Sequence, residues 1–471
     1  MSKQDILVWI DDHAAAFTDM AKQIWDNPEV GYTERFASSL QASALEKEGF
    51  RITRNIGDVS TAFIAEYGSG KPIIGIMGEF DALPGLSQEV GFTESPIVSG
   101  GPGHGCGHNL LGTAGVEAAF ALKQRMDAEG LAGTIRYYGC PAEELLSGKT
   151  YMARAGAFDD LDSVLTWHPG TFNMTANISM QALTAVEFFF SGRTAHAAGA
   201  PHLGRSALDA VELMNVGANY LREHVPDGSR IHYQITNGGL APNIVPDKAS
   251  VYYFLRGKNR PAVDHLLERL IKVAQGAAMM TETTVEWAIR AGCYDTLPNM
   301  ALNDLMHAQA ELAGPMSFTE EEEKFAEQLR GSIHPSVLEA GSAMAPTKEN
   351  LPTGFFNLKK TYGLSVSGSS DIGDASWIVP MGQIMTTCAP AGVQVHTWQA
   401  TAAFGSSIGM KGMHYAAKLM ALSAYDLLLN VDGIIEKAKA EFAASTKGTA
   451  YKAGIPMDVK PPLHKEAVPA G

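Results

Sequence analysis

Residues 71–85 read KPIIGIMGEFDALPG. A short Ile-rich apolar run that ends in a turn-rich Asp-Ala-Leu-Pro-Gly has the pattern of a buried parallel strand. The same punctuation returns twice. GTIRYYGC (133–140) runs into Pro141, and DSVLTWH (162–168) runs into Pro169. Between and before these runs the spacing is helical. Ile6, Trp9, Ile10, Phe17, Met20, Ala21 and Ile24 recur at three- and four-residue steps, which predicts a helix over 5–26. Further helices are expected at 33–49, closed by Gly49, and at 110–129. Strands alternating with helices predict a doubly wound α/β sheet, whose ligands sit at the carboxyl ends of the strands.

Residues 182–292 have another rhythm. LTAVEFFFSG, RIHYQITN, SVYYFLRG and TVEWAIRAG read as strands, with helices at 205–223 and 260–279. The order βαββαβ is that of a ferredoxin-like split unit. It interrupts the α/β pattern, so the expected organisation is an inserted domain at 182–292 within a larger domain formed by 1–181 and 293–471. In the second half of the larger domain a helix is expected at 300–314. TEEEEKFAEQLRG (319–331) reads as a solvated helix, and 334–354 as a loop. Residues 411–430 read as the last strong helix, and the chain from Thr446 as an extended tail. There are no internal repeats.

A chain of 471 residues can bury a core without staples. Lys and Arg total 36 against 51 Asp and Glu, a net charge of −15, which argues against nucleic acid or an acidic membrane surface as partner. Four cysteines without a CxxC make no disulfide framework and suit a reducing compartment. The first residues, MSKQDILVWIDDH, carry acidic groups before any long apolar run, and no stretch is long enough to span a bilayer. A cytoplasmic location is therefore expected.

The densest chemical signal is GHGCGHN (103–109), with His104, Cys106 and His108 on a Gly-rich loop. Thiolate and imidazole are the usual ligands of zinc and similar ions. Glu143 and Glu144 follow strand 133–140 directly. As neighbours at a strand end they point different ways, so one can bind metal while the other faces a water. His168 stands in TWHPG and His396 in VQVHTW, each after an apolar run. Each residue also has an ordinary reading: a small buried cysteine, first-turn glutamates, satisfied buried histidines. Five donors at the ends of successive strands together point to a two-metal hydrolytic site.

The ordered set GEFDALPG, GHGCGHN, CPAEE, TWHPG, GRTAHAAGAPHLGRSALDA and VHTW resembles the metal-dependent aminoacylase and carboxypeptidase superfamily, in particular its branch of hippurate and auxin-conjugate amidohydrolases. The likeness runs through nearly the whole chain. It implies metal ligands at Cys106, His108, Glu144, His168 and His396, with Cys106 bridging two divalent ions, zinc or manganese. It implies Glu143 as general base, taking a proton from a water that the ions acidify. Asp81 would orient a ligand histidine. Glu79 stands where the wider superfamily has a ligand histidine, a departure that fits the branch. Asn109 stands where the branch has Asp, and His104 is expected to fix the loop. The inserted domain resembles a lid and dimerisation domain, presenting His196 to the scissile carbonyl in the partner subunit. Asn243 and Arg256 match positions that bind the substrate's carbonyl and carboxylate, and Ser367–Asp371 resembles a substrate loop. The implied activity is cleavage of the amide bond of a small N-acyl or N-aroyl amino acid, with glutamate conjugates of p-aminobenzoate as the specific expectation. The implied assembly is a homodimer, or a heterodimer with a related subunit, through the lid. A dipeptidase or carboxypeptidase, or a non-catalytic partner subunit, are the alternatives.

Overall fold

The computed structural model describes residues 3–343 and 345–462. The strand Ile73–Glu79 lies inside an eight-stranded sheet, between Gly133–Cys140 and Ser163–Gly170 and parallel to both. Met381–Thr387 adds a fourth parallel strand beside Ser163–Gly170. From Ile74 onward the first strand is buried on both faces, which is why its sequence runs apolar without alternation. Ile74 and Ile76 face one core layer, formed with the helices Gln4–Asp26, His108–Glu129 and Ser407–Leu428. Met77 faces the other, with Tyr138, Tyr151, Phe158 and Ile372. Each such side chain contributes about 1.5–3 kcal/mol of hydrophobic stabilisation.

The sheet is not parallel throughout. Phe63–Ser69 pairs antiparallel with Gly133–Cys140, and Arg51–Arg54 closes that side, also antiparallel. At the other side Asn173–Thr175 runs antiparallel to Met381–Thr387. The doubly wound core is therefore flanked by antiparallel edge strands, a common extension of such sheets.

A second sheet holds Thr284–Cys293, Ala182–Ser191, Lys248–Gly257 and Arg230–Asn237 in that order, all antiparallel. Numbered along the chain the order is 4-1-3-2, the ferredoxin-like arrangement of βαββαβ. Two helices, Ala207–Leu221 and Arg260–Thr281, cover one face and share its core with Phe188, Phe190, Val251 and Tyr253. The last strand runs through Cys293, one residue beyond the expected limit of 292.

Three expectations need correction. The segment 334–354 is not all loop. Pro335–Ser342 is helical, with proline in its first turn and the His334 side chain capping the Ser336 amide. The helix expected at 411–430 is Ser407–Leu428, and it is not the last: Ile434–Thr446 follows. The acidic helix Glu320–Gly331 is solvated on one face only. Glu322 is buried, takes part in a capping box with Thr319, and pairs with Lys411. The tail wraps as far as it is described. Arg154 donates to the carbonyls of Pro456 and Val459, Tyr151 to that of Lys460, and Tyr451 to Asp374. The tail beyond residue 462 lies outside the described residues. Among the described residues no helix is long and apolar enough to cross a membrane.

Candidate metal centre

Beyond the carboxyl ends of the parallel strands the donors converge on one pocket, buried except on the side of His396, which is exposed. Cys106, His108 and His168 place one ligand atom each within 4.8 Å of one another. Cys106, Glu144 and His396 do the same, so the two triads share the Cys106 sulfur. All five donors expected from the sequence are thus brought together. His168 lies near the end of Ser163–Gly170 and Glu144 just past Gly133–Cys140, whereas Cys106 and His108 stand at the start of the helix His108–Glu129, after a long loop that follows Ile73–Glu79. His396 lies in the loop after Met381–Thr387, nine residues beyond the strand, where its amide donates to the Gly105 carbonyl at 2.8 Å.

Local backbone geometry aims these side chains. Gly107 has φ 77°, and a Cβ there would meet the Pro169 ring at 2.9 Å. A left-handed glycine between Cys106 and His108 lets both side chains turn to one point. Ala142 (φ 56°) and His396 (φ 65°) hold the same conformation without being glycine, which costs energy and clusters at functional sites. Glu34 stabilises the first of them. Its carboxylate accepts the Ala142 amide at 2.8 Å and the Thr61 hydroxyl at 3.0 Å, and burial raises its pKa to about 8.

The proton positions on the histidines follow from their partners. His108 Nδ1 lies 2.9 Å from Asp81 Oδ1 and 3.1 Å from the Asp81 carbonyl, and a carbonyl only accepts. His168 Nδ1 lies 2.8 Å from the Pro169 carbonyl. In the neutral state both rings therefore carry the proton on Nδ1 and turn an Nε2 lone pair into the pocket, the arrangement of ligand histidines. His168 Nε2 is 3.4 Å from Cys106 Sγ, and His396 Nε2 is 3.4 Å from Glu144 Oε2. Two donors of one ion, on bonds of about 2.0–2.3 Å, stand roughly 3.0–3.6 Å apart. His108 Nε2 and Glu144 Oε1 are buried and have no hydrogen-bond partner. The residues therefore fit a divalent-metal centre: soft and borderline donors, correct tautomers, and unpartnered atoms facing inward.

The electrostatics agree. Burial, then repulsion from Glu79 and Glu144, holds the Glu143 carboxyl well above the usual carboxylate range. Burial raises Glu144 to about 7. Burial, then repulsion from His108, lowers His168 to about 4, so it is neutral at pH 7. For His108 burial acts downward, but the interactions with Cys106 and Asp81 outweigh it and hold the pKa well above the usual histidine range. Asp81 also accepts the Glu144 amide at 3.0 Å, so one carboxylate orients the ring and the Glu144 backbone together.

The other predicted residues fall in different places. Arg256, near the end of Lys248–Gly257, donates to the Ser367 carbonyl at 3.3 Å and the Ser369 hydroxyl at 2.9 Å. It thus meets the loop expected to touch substrate. His196 and Asn243 sit beside each other at the opposite end of the small sheet. The Ala197 amide donates to the Asn243 carbonyl at 3.0 Å, and both side chains are exposed. His196 Nδ1 accepts the amides of Ala198 and Gly199, so its Nε2 carries the proton outward. From Lys248 to Arg256 is roughly 26 Å of extended chain, which separates these residues from the Arg256 end of their own subunit. Asn109 does not touch the donors. It donates to the Ala21 and Phe404 carbonyls. His104 is buried against the Ile24 carbonyl, and burial lowers it to about 3.

Two residues of this pocket were not anticipated. Lys149 is fully buried between Glu79 (2.6 Å) and Asp371 (2.7 Å), and Glu34 holds Ala142 from a helix start far along the chain. Neither follows a spacing rule. A lysine in SGKT reads as solvated, and nothing local marks Glu34.

A doubly wound sheet with a ferredoxin-like insertion and this donor set defines a class, the metal-dependent hydrolases of amide and peptide bonds. Residues 178–279 match the peptidase dimerisation domain of M20 proteins. The B-type subunit of the p-aminobenzoyl-glutamate hydrolase of Escherichia coli (strain K12) is 42% identical over 477 aligned residues, covering 97% of this chain and 99% of that protein. Xaa-Arg dipeptidase of Mus musculus is 28% identical, covering 92% of this chain and 90% of that protein. The fold is also that of a dinuclear metal-binding peptidase of the M20 family from Bacillus subtilis, with a TM-score of 0.59 at 16% identity over 89% of this chain and all of that one. The chain belongs to the family of the B-type p-aminobenzoyl-glutamate hydrolase subunits, within the M20 hydrolases.

Proposed function

We propose that this chain cleaves the amide bond of an N-aroyl amino acid with a free carboxylate, specifically p-aminobenzoyl-glutamate, releasing p-aminobenzoate and glutamate. The observation that carries the reading is the pair of donor triads sharing Cys106 beside the buried carboxyl of Glu143. Residues 1–181 and 293–471 form the catalytic domain in this reading, and 182–292 the lid.

Two divalent ions, zinc or manganese, would be held by Cys106, His108 and His168 and by Cys106, Glu144 and His396. When bound, such ions acidify a water and polarise a carbonyl. Glu143 accepts the water's proton, and its raised proton affinity suits that task. It then passes the proton to the nitrogen of the departing amine. His196 donates from Nε2 to the carbonyl oxygen as charge develops there, with Asn243 beside it. Arg256 receives the substrate carboxylate with its planar fork of donors. The lid carries the dimer contact. Its edge strand Arg230–Asn237 has one unpaired side and exposes Tyr233 and Ile235. The partner is a second copy or a related chain, since the relative from Escherichia coli is itself named as one subunit of its hydrolase.

The test is to incubate the purified chain with a panel of N-acyl amino acids and dipeptides under zinc, manganese and cobalt, and assay amine release. Preferred turnover of p-aminobenzoyl-glutamate is expected. Turnover of dipeptides alone would overturn the substrate assignment. Metal analysis of ligand variants tests the centre itself. Cys106→Ser, His108→Ala and His168→Ala should each bind less metal and lose turnover with the fold kept, and full occupancy in all three would sink it.

Arg256→Lys tests recognition. A lysine is a point charge and cannot offer two parallel donors. Its KM should rise for substrates with a free carboxylate and stay near wild type for the matching amides. An equal rise for both would make Arg256 a structural residue of the lid contact.

A further inference from the structure

Glu79 ends the strand Ile73–Glu79 with its side chain buried in the pocket. Its Oε2 lies 3.2 Å from His108 Nε2, yet that nitrogen has no hydrogen-bond partner. The ring's proton is on Nδ1, directed at Asp81. In the neutral ring a nitrogen lone pair thus faces a carboxylate oxygen, and both side chains are buried. The two atoms need a positive charge between them, a proton on Nε2 or a metal ion, and the spacing is one at which two donors of a single ion stand, roughly 3.0–3.5 Å. Glu143 Oε2 is 4.0 Å from the same nitrogen, and Glu79, His108 and Glu143 place their ligand atoms within 4.8 Å of one another.

The other oxygen of Glu79 is not free to turn away. It is held at 2.6 Å by Lys149 Nζ, and Lys149 has no exposed surface. Asp371 fixes the lysine twice, through Nζ at 2.7 Å and through its backbone amide at 2.7 Å. A buried ammonium is costly unless it is fully paired, and here both partners are carboxylates. One positive charge between two negative ones leaves a surplus negative charge, and the free oxygen of Glu79 presents it to His108.

We infer that Glu79 is an additional oxygen donor to the divalent ion held by His108, and that Lys149, anchored by Asp371, is the positioning residue that fixes it. The inference rests on the reading of Cys106, His108 and His168 as ligands. It adds a carboxylate to a Cys-His-His set, and hard oxygen donors raise the relative affinity for manganese.

The experiment strips the full chain with a chelator and titrates it with zinc, manganese and cobalt, for wild type, Glu79→Gln, Lys149→Gln and His108→Ala. Glu79→Gln should weaken one of the two sites at least about tenfold, more for manganese than for zinc, and should change the ligand-field absorption of bound cobalt. Lys149→Gln should move both readouts in the same direction. Because it leaves Asp371 buried without its cation it can also unfold the chain, so the near-isosteric Glu79→Gln carries the decision, with its melting curve as the fold control. Unchanged affinity, or an unchanged cobalt spectrum, in Glu79→Gln overturns the inference. If His108→Ala keeps its full metal complement, the underlying centre is wrong. If His108→Ala loses metal while Glu79→Gln loses none, only the role of Glu79 falls.

Discussion

Glu143→Gln should keep its metal and lose about 10²–10⁴-fold in kcat, the range that a positioned proton carrier contributes. The amide has almost the shape of the carboxyl, and the side chain is nearly buried, so the pocket has little reason to rearrange. What disappears is the ability to take a proton from water and return it to the leaving nitrogen. The neighbouring Glu144→Gln should behave differently. Glu144 lies 3.4 Å from His396 and within the Cys106 triad, so its loss should appear first as lost metal. The pair of variants is checked by metal analysis and single-turnover kinetics on the same samples. Retention of activity within tenfold in Glu143→Gln would remove it from the proton-transfer role. Equal metal loss in both variants would mean that the two carboxylates share one task.

The contrast between Glu143 and Glu144 was legible because it is local. Two adjacent residues at a strand end must diverge, and the strand itself was marked by its apolar run. The same is true of Cys106 and His108, where glycine spacing and residue type lie in one short segment. His168 was legible in the same way, at the end of an apolar strand that runs into Pro169, whereas His396 was legible as a residue type but not as a place. His396 reaches the pocket on a loop held through the Gly105 carbonyl, a contact between segments almost 300 residues apart. Lys149 and Glu34 were invisible for the same reason, since their partners come from Asp371 and Ala142. The helix Ile434–Thr446 was missed on similar grounds. It carries Glu441, whose carboxylate caps the amides of Met300 and Ala301 in a distant helix, and such tertiary caps leave no trace in local periodicity. The antiparallel edges of the large sheet belong to this group as well, because edge direction is set by neighbours and not by the strand's own residues.

The largest effect concerns the two ends of the lid. Arg256 meets the loop Ser367–Asp371 at one end of the small sheet, while His196 and Asn243 stand at the other, so in the proposed dimer each active site takes its His196 from the opposite chain. Glu143→Ala and His196→Ala homodimers should then both be nearly inactive. In a mixed dimer one site carries both defects and the other carries neither. Random pairing makes half the dimers mixed, each with one working site, so about a quarter of wild-type activity should return to the mixture under two-fold symmetry. Dual-tagged dimers purified from co-expression should reach about half of wild type per dimer, on the same count of sites. Complementation of this kind cannot arise if His196 serves its own chain, because every site in the mixture would then lack either its base or its histidine. Purified mixed dimers that form by native mass yet stay inactive would therefore place His196 outside the partner's reaction, and the free Nε2 that the lid turns outward would need another explanation.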